Sequence, residues 1–366
     1  MTPHPRWLIY GANGFTGRLI AREAARRGLT PILAGRSAAS VGPLAAELGL
    51  EARVFGLDDP AEVARNLEDA SLVLHCAGPF SRTHPPMLRG CLETGTHYLD
   101  ITGEYAVLEE LHWRGPEARR AGIVAVSGVG FDVVPTDGIA AHLAHALPTA
   151  TRLRLAFRGG TVSRGTAITM AEGSGEGGLS RQGGLLVREP VAARTWRVEH
   201  AGRRYTAVSI PWGDVATAYH STGIPTVETY LAVPPAAALV MRASGLAAPL
   251  LRRPAVRRLL RKRAGRAKGP SETEMREGRT VVWGEVTDPA GRRRTARLLG
   301  PEGYRFTVLA ALASVERVLA GGVPAGAWTP SQAFGTGFVT TLPGVELRPG
   351  EGGDGPALPG TFLGPR

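Results

Sequence analysis

The 366-residue chain has only two cysteines, Cys76 and Cys91. They are too few for a disulfide framework, and their apolar surroundings read as those of reduced core thiols. Neither belongs to a metal-ligand pattern, and the nine histidines show no H-x-x-x-H or H-E-x-x-H spacing, so no metal site is expected. Long hydrophobic runs are missing as well. The apolar stretch that starts at Trp7 gives way at once to glycines, which leaves no h-region for a signal peptide and no membrane span at the start. A second apolar stretch, residues 236–251, is broken by Arg242, Gly245 and Pro249 and is too interrupted to cross a bilayer. A cytoplasmic protein is the expectation.

What is present is the composition of a globular chain, 43% hydrophobic and 20% charged, long enough for two domains with ample core. The formal net charge is +11, but Arg252 to Lys268 holds nine Lys or Arg and no acid, which leaves only +2 over the rest of the chain. The excess is therefore one local basic element, not a basic groove. With no zinc-finger or RNP-type aromatic motif beside it, nucleic acid is not an expected partner.

The chain is organised around Trp7-Leu-Ile-Tyr10, Gly11-Ala-Asn13-Gly14-Phe15-Thr16-Gly17 and the run Arg18 to Arg27, which read as strand, tight turn and helix. Glycines three apart let backbone approach a pyrophosphate, and the helix N-terminus faces its negative charge. The spacing is G-x-x-G-x-x-G and is weak alone; its position after a strand and before a helix strengthens it. Thr30 to Ala34 is a second strand ending in Gly35-Arg36-Ser37. An acid about 20 residues past the glycines would accept from a ribose 2′-OH, whereas Arg36 and Ser37 suit a 2′-phosphate and point to NADP(H).

Residues 38–49 read as a helix and Ala52 to Asp59 as a third strand. Asp58 either accepts from the adenine amino group or, with Asp59, caps the helix near Pro60. Ser71 to Ala77 is the fourth strand, running into Gly78-Pro79-Phe80, where backbone comes close to the nicotinamide half; residues 85–94 follow as a helix with Pro at its first turn. His97 to Glu104 is a fifth strand, residues 109–121 a helix, and residues 122–127 a sixth strand leading to Gly128 to Asp137. This alternation implies an α/β fold with an N-terminal, doubly wound parallel sheet of Rossmann type, residues 1–150. From Thr151 strand-like runs dominate, at 151–157, 205–210, 227–233, 281–286 and 294–299. They imply a second α+β domain, 151–342, with a mainly antiparallel sheet that binds substrate and dimerises. Within it residues 173–188 read as a helix over the cofactor cleft and 304–319 as an amphipathic helix. The Gly/Pro-rich tail, 343–366, reads as disordered.

These residues resemble the saccharopine dehydrogenase-like NADP-binding oxidoreductase family and, within it, the trans-acting enoyl reductase-like branch. The resemblance is carried by Tyr10 to Gly17, Ala34-Gly-Arg-Ser37, Ala77-Gly-Pro-Phe80, Tyr98-Leu-Asp-Ile-Thr-Gly-Glu104 and Gly130-Phe131-Asp132-Val-Val-Pro-Thr-Asp137. It continues late in the chain at Gly269-Pro-Ser, Val282-Trp-Gly-Glu285, Pro301-Glu-Gly-Tyr304 and Thr329-Pro. It implies a Rossmann domain, then an α+β domain, and NADP(H) chemistry on a lipid-like substrate, not on saccharopine itself.

Candidate chemistry gathers at strand ends. Alternation puts Tyr98 and Asp100 on one side, with Glu104 beyond; the three either supply a proton donor or cap and hold a loop. Asp132, on the loop that the resemblance sets beside the nicotinamide, is the fourth catalytic candidate. Asp137 suits helix-capping duty, and Arg164 and Thr166 are weaker substrate contacts. The Tyr-x-x-x-Lys dyad of short-chain reductases is absent. The basic segment 252–268 is either a solvated helix with Val256, Leu259 and Leu260 as its apolar stripe, or a peripheral anchor on anionic membrane. The expected function is NADP(H)-dependent reduction of a carbonyl or activated C=C on a hydrophobic or carrier-linked substrate; the alternative is a membrane-peripheral NADP(H) sensor.

Overall fold

The computed structural model describes residues 5–172, 177–244 and 253–350. In chain order the strands are β1 (Trp7–Tyr10), β2 (Ile32–Gly35), β3 (Ala52–Val54), β4 (Leu72–His75), β5 (His97–Asp100), β6 (Val124–Val126), β7 (Arg152–Phe157) and β8 (Gly178–Gln182). They continue as β9 (Leu185–Glu189), β10 (Thr195–His200), β11 (Arg203–Ser209), β12 (Thr226–Val233), β13 (Arg279–Thr287), β14 (Arg293–Pro301), β15 (Gly326–Trp328) and β16 (Glu346–Pro349).

The first sheet is parallel throughout, in the order β15-β6-β5-β4-β1-β2-β3. β1, β2 and β4 are buried at every position, as strands covered on both faces must be. Alternate residues divide between the two faces. Ile9, Leu33 and Leu74 meet Ile20 and Ala24 of helix Phe15–Arg26, while Leu8, Tyr10 and Val73 meet Val63, Leu67 and Met87 on the other side. The winding reverses between β1 and β4, and the crevice at their C-terminal ends is where such sheets bind ligand.

The second sheet runs β10-β11-β12-β7-β13-β14-β16, with the β8–β9 hairpin attached to β12. Among the described residues only the β7–β12 pair is parallel, so the sheet is mixed and mainly antiparallel, as expected. Leu153, Leu155 and Phe157 face helix Val134–Ala146, which approaches closely because Gly284 has no side chain to strike Leu143 and Ile139.

Several expectations need correction. The first domain does not end at 150: helix Gly303–Leu319 packs its Val308, Leu312 and Val315 on the first sheet, and β15 adds to β6 as its seventh strand. A three-residue strand carries too little pattern to announce itself, and helical periodicity marks a buried face without naming the surface it covers. The helix placed at 85–94 begins at Phe80, with Pro85 and Pro86 inside it. The one placed at 109–121 is two short helices, Tyr105–Trp113 and Gly115–Arg120. Over the expected helix at 173–188 the chain forms the β8–β9 hairpin, and residues 173–176 lie outside the described residues. The tail starts too early at 343, since β16 pairs with β14; residues 351–366 lie outside the described residues. Among the described residues no helix is long and apolar enough to cross a membrane.

Candidate functional site

The turn after β1 is built by its three glycines, each for a different reason. Gly11 has φ +81°, and a Cβ there would stand 2.8 Å from the Ala77 backbone nitrogen. A Cβ on Gly17 would collide with the Gly11 carbonyl oxygen, so the third glycine lets the helix sit tight on the strand. Gly14 is exposed at the N-cap of helix Phe15–Arg26, and no side chain caps that helix end. With no side-chain cap among the described residues, this helix end has the arrangement that binds a pyrophosphate. Asn13 lies against Gly35 at the end of β2, where a Cβ would come within 3.0 Å of its amide oxygen. Arg36 and Ser37 follow on the same rim, Arg36 exposed and Ser37 at the N-cap of helix Ala38–Leu48 without a side-chain cap bond. A guanidinium beside an uncapped helix N-terminus suits a phosphate.

Other sequence-picked residues serve the frame of the crevice. Phe15 turns its ring edge-on to Tyr304, 4.9 Å between centroids, and packs on Gly269, so it ties the loop to the second domain. Thr16 is half-buried on the first helical turn. Asp58 is exposed at the end of the β3 segment, whereas Asp59 caps helix Pro60–Leu67 by accepting from Ala61 N at 2.9 Å. Ala77 and Pro79 line the β4 turn half-buried, with Gly78 exposed between them; the Ala77 carbonyl accepts from the Thr83 hydroxyl at 2.6 Å. The Phe80 ring is turned inward, edge-on to His75. Gly130 is buried against Thr307, and Phe131 donates its N–H to the Thr307 hydroxyl at 3.0 Å and packs its ring on Phe157 and Phe306. That pair ties the loop after β6 to helix Gly303–Leu319.

The hydrogen bonds of three of the four catalytic candidates fit the second of their two expected roles, capping and holding a loop. Tyr98 is fully buried; its hydroxyl donates to Asp100 Oδ2 at 2.8 Å and faces His84 Nδ1 at 2.9 Å. Asp100, also fully buried, accepts in addition from Ser127 Oγ at 2.7 Å, Thr102 N at 3.0 Å and Gly128 N at 2.9 Å. Burial alone would raise the Asp100 carboxyl, but His84 and the backbone donors outweigh it and hold the group below its ordinary range. These two side chains tie the ends of β5 and β6 together, with no face left toward the crevice. Glu104 accepts from Phe80 N at 2.7 Å and Ser81 N at 2.9 Å, capping helix Phe80–Thr94 from outside. Asp137 does the same for a different helix than expected, taking Ser331 N at 2.7 Å and the Ser221 hydroxyl.

Asp132 differs from the other three. It retains some exposure, its carboxyl makes no hydrogen bond among the described residues, and burial by its surroundings raises its pKa to about 7. Gly103 has to be glycine here, because a Cβ would come within 2.7 Å of Asp132 Oδ2. From the second domain the indole N–H of Trp212 donates to the Asp132 carbonyl at 2.9 Å. Gly213 follows, against the Gly103 carbonyl, and then Asp214, fully buried with neither carboxyl oxygen hydrogen-bonded among the described residues. Burial holds Asp214 well above the carboxylate range, and the nearby Asp132 and Asp137 add to the shift. Trp212, Gly213 and Asp214 had no motif to mark them. Tyr304, which anchors Ser163 N at 2.6 Å and meets Thr166 Oγ1 at 3.1 Å, lay in a stretch read only as family-like.

A doubly wound sheet with a glycine cradle, an uncapped helix and an Arg-Ser rim defines a dinucleotide-binding protein. Residues 7–126 match the model of the saccharopine dehydrogenase NADP binding domain. That stretch is the NADP-binding part of the chain, and NADP(H) is its dinucleotide. Over this part the chain is 31% identical to the saccharopine dehydrogenase-like oxidoreductase of Bos taurus, covering 36% of this chain and 35% of that one. It is 34% identical to the trans-acting enoyl reductase of Mycobacterium leprae, covering 36% and 33%. The matches thus span about a third of the length of these relatives. Saccharopine dehydrogenase (L-Glu forming) from Saccharomyces cerevisiae has the same fold throughout, with a TM-score of 0.65 at 12% identity, covering 94% of this chain and 99% of that one.

The Arg36 position carries a prediction. Arg36→Glu is expected to weaken NADPH binding by about 10–100-fold and to leave NADH binding within a few-fold, because a carboxylate repels a 2′-phosphate and accepts from a 2′-hydroxyl. Fluorescence titration with both cofactors measures it, and an unchanged preference would remove Arg36 from the specificity site.

Proposed function

We propose that the protein is an NADP(H)-dependent oxidoreductase that reduces a carbonyl or activated C=C of a hydrophobic or carrier-linked substrate, with Asp132 as its proton donor. The observation that carries the reading is Asp132 itself, a carboxyl near neutrality on the loop after β6, unpaired and partly exposed where the second domain meets the crevice. The names of the relatives, an oxidoreductase and an enoyl reductase, support the reaction class.

The bound cofactor supplies a hydride; this chain supplies position and a proton. Charge that develops on a substrate oxygen or carbon needs an acid whose pKa lies near the working pH, and Asp132 meets that requirement where a surface aspartate would not. Trp212 fixes the backbone of the loop, and Gly103 leaves room for the carboxyl. Burial is what holds the Asp132 carboxyl up and favours its protonated form.

The test is NADPH oxidation over a panel of enoyl and ketoacyl thioesters and long-chain ketones. Reduction should fall as pH rises through about 7, since the donor is active only when protonated. Asp132→Asn should lower kcat by about 100-fold or more and flatten that limb while NADPH still binds. A full panel without turnover would overturn the enzymatic reading; normal turnover by Asp132→Asn would overturn the assignment of the donor alone.

A further inference from the structure

Helix Pro254–Ala264 has no buried residue, although it packs against helix Arg164–Glu172. Val256 and Leu260 are half-buried, but Leu259, expected in the same apolar stripe, is 65% exposed. Around it Arg258, Lys262 and Arg263 are exposed, and Arg266 and Lys268 continue the charge beyond the helix end. Arg253 to Lys268 contains no acid. On the neighbouring helix Met170 is also exposed, at 53%.

Location gives this face a purpose. Gly265 approaches the Arg164 guanidinium, and Gly269 packs on the Phe15 ring of the pyrophosphate turn. The end of the charged segment therefore lies beside the pyrophosphate turn, where Gly269 meets Phe15. An exposed leucine ringed by five cations on an acid-free segment is a combination that a phosphate-tracking groove does not use. An anionic lipid interface takes both, the cations at the headgroups and the leucine below them.

We propose that Arg258, Leu259, Lys262, Arg263, Arg266 and Lys268 form a docking face for an anionic lipid surface, which brings the mouth of the crevice to the membrane. Charge complementarity selects the partner. The attachment is reversible and mainly electrostatic, since a single exposed leucine contributes little insertion.

The experiment is co-sedimentation of the full chain with vesicles of phosphatidylcholine alone or mixed with phosphatidylglycerol, at low and high salt. Binding is expected with the mixed vesicles only and is expected to vanish at high salt. Changing Arg258, Lys262, Arg263 and Arg266 together to Gln should lower partitioning by at least about tenfold. Leu259→Ser, which leaves the charge alone, should lower it a few-fold. NADPH titration of each variant confirms that the fold and the crevice are intact and keeps this test separate from that of the catalytic reading. The proposal is overturned if the wild-type chain ignores the mixed vesicles at low salt or if the four-fold variant sediments as the wild type does. Retention on duplex DNA or an acidic polypeptide without vesicle binding would overturn it as well.

Discussion

Gly14→Val should fold and lose at least about 100-fold in affinity for NADPH, a loss traceable to one atom group in front of one helix. Gly14 has an ordinary extended backbone, φ −71° and ψ 169°, so a valine adopts it without strain. Its Cβ would meet only the Gly11 carbonyl, at 3.2 Å, a contact that a small shift relieves. The two methyls would then occupy the space before the free N–H groups of helix Phe15–Arg26, where the pyrophosphate has to lie. The comparison variant is Gly17→Ala, whose Cβ strikes backbone and which should therefore lose stability along with binding. Fluorescence titration beside a thermal melt separates the two. A folded Gly14→Val protein that binds NADPH normally would take the cofactor site away from this turn.

Asp100→Ala should cost about 3–5 kcal/mol, a large part of the stability of an ordinary domain. The carboxylate accepts from Tyr98, Ser127, Thr102 and Gly128; alanine would take that acceptor from three buried donors and leave Tyr98 with His84 Nδ1 alone. Asp100→Asn should cost less, because one oxygen still accepts. The pH dependence follows from the direction of the shift. The folded pKa lies below the ordinary aspartate value, so the carboxylate stabilises the fold above that ordinary value and the contribution is lost as pH falls through the folded pKa. Urea unfolding of the three proteins, repeated at acidic pH, measures both effects. Equal midpoints for wild type and Asp100→Ala would mean that the β5 and β6 ends are held by something else.

The strand, glycine turn and helix of the candidate cofactor site were legible because their signals are local. A strand, three glycines and a helix lie within 20 residues, and Arg36 falls at a fixed offset from them. The catalytic half was only partly legible. Tyr98 and Asp100 were correctly placed on one side of β5, but alternation does not say whether that side faces a crevice or the interior, and it faces the interior. Glu104 and Asp137 were read as chemistry or as local caps, whereas each caps a helix distant in sequence, 23 residues away for Glu104 with Ser81 and 194 for Asp137 with Ser331. Trp212 reaches Asp132 across 80 residues, a partnership that no periodicity encodes. The same holds for β15, whose place beside β6 depends on the path of the whole second domain.

That path has a consequence for how the protein is made. The second domain, helix Val134–Ala146 included, is inserted into the first between β6 and helix Gly303–Leu319. When the ribosome has delivered β6, the parallel sheet still lacks its outer strand and the helix that covers Leu74 and Val126. The nascent first half must wait, with an open strand edge and an uncovered apolar face, while more than 150 further residues emerge. A fragment cut after β6 should therefore be prone to aggregate, although it contains the whole stretch matched to the family. Joining Gly303–Trp328 to that fragment through a short linker should restore it to solution.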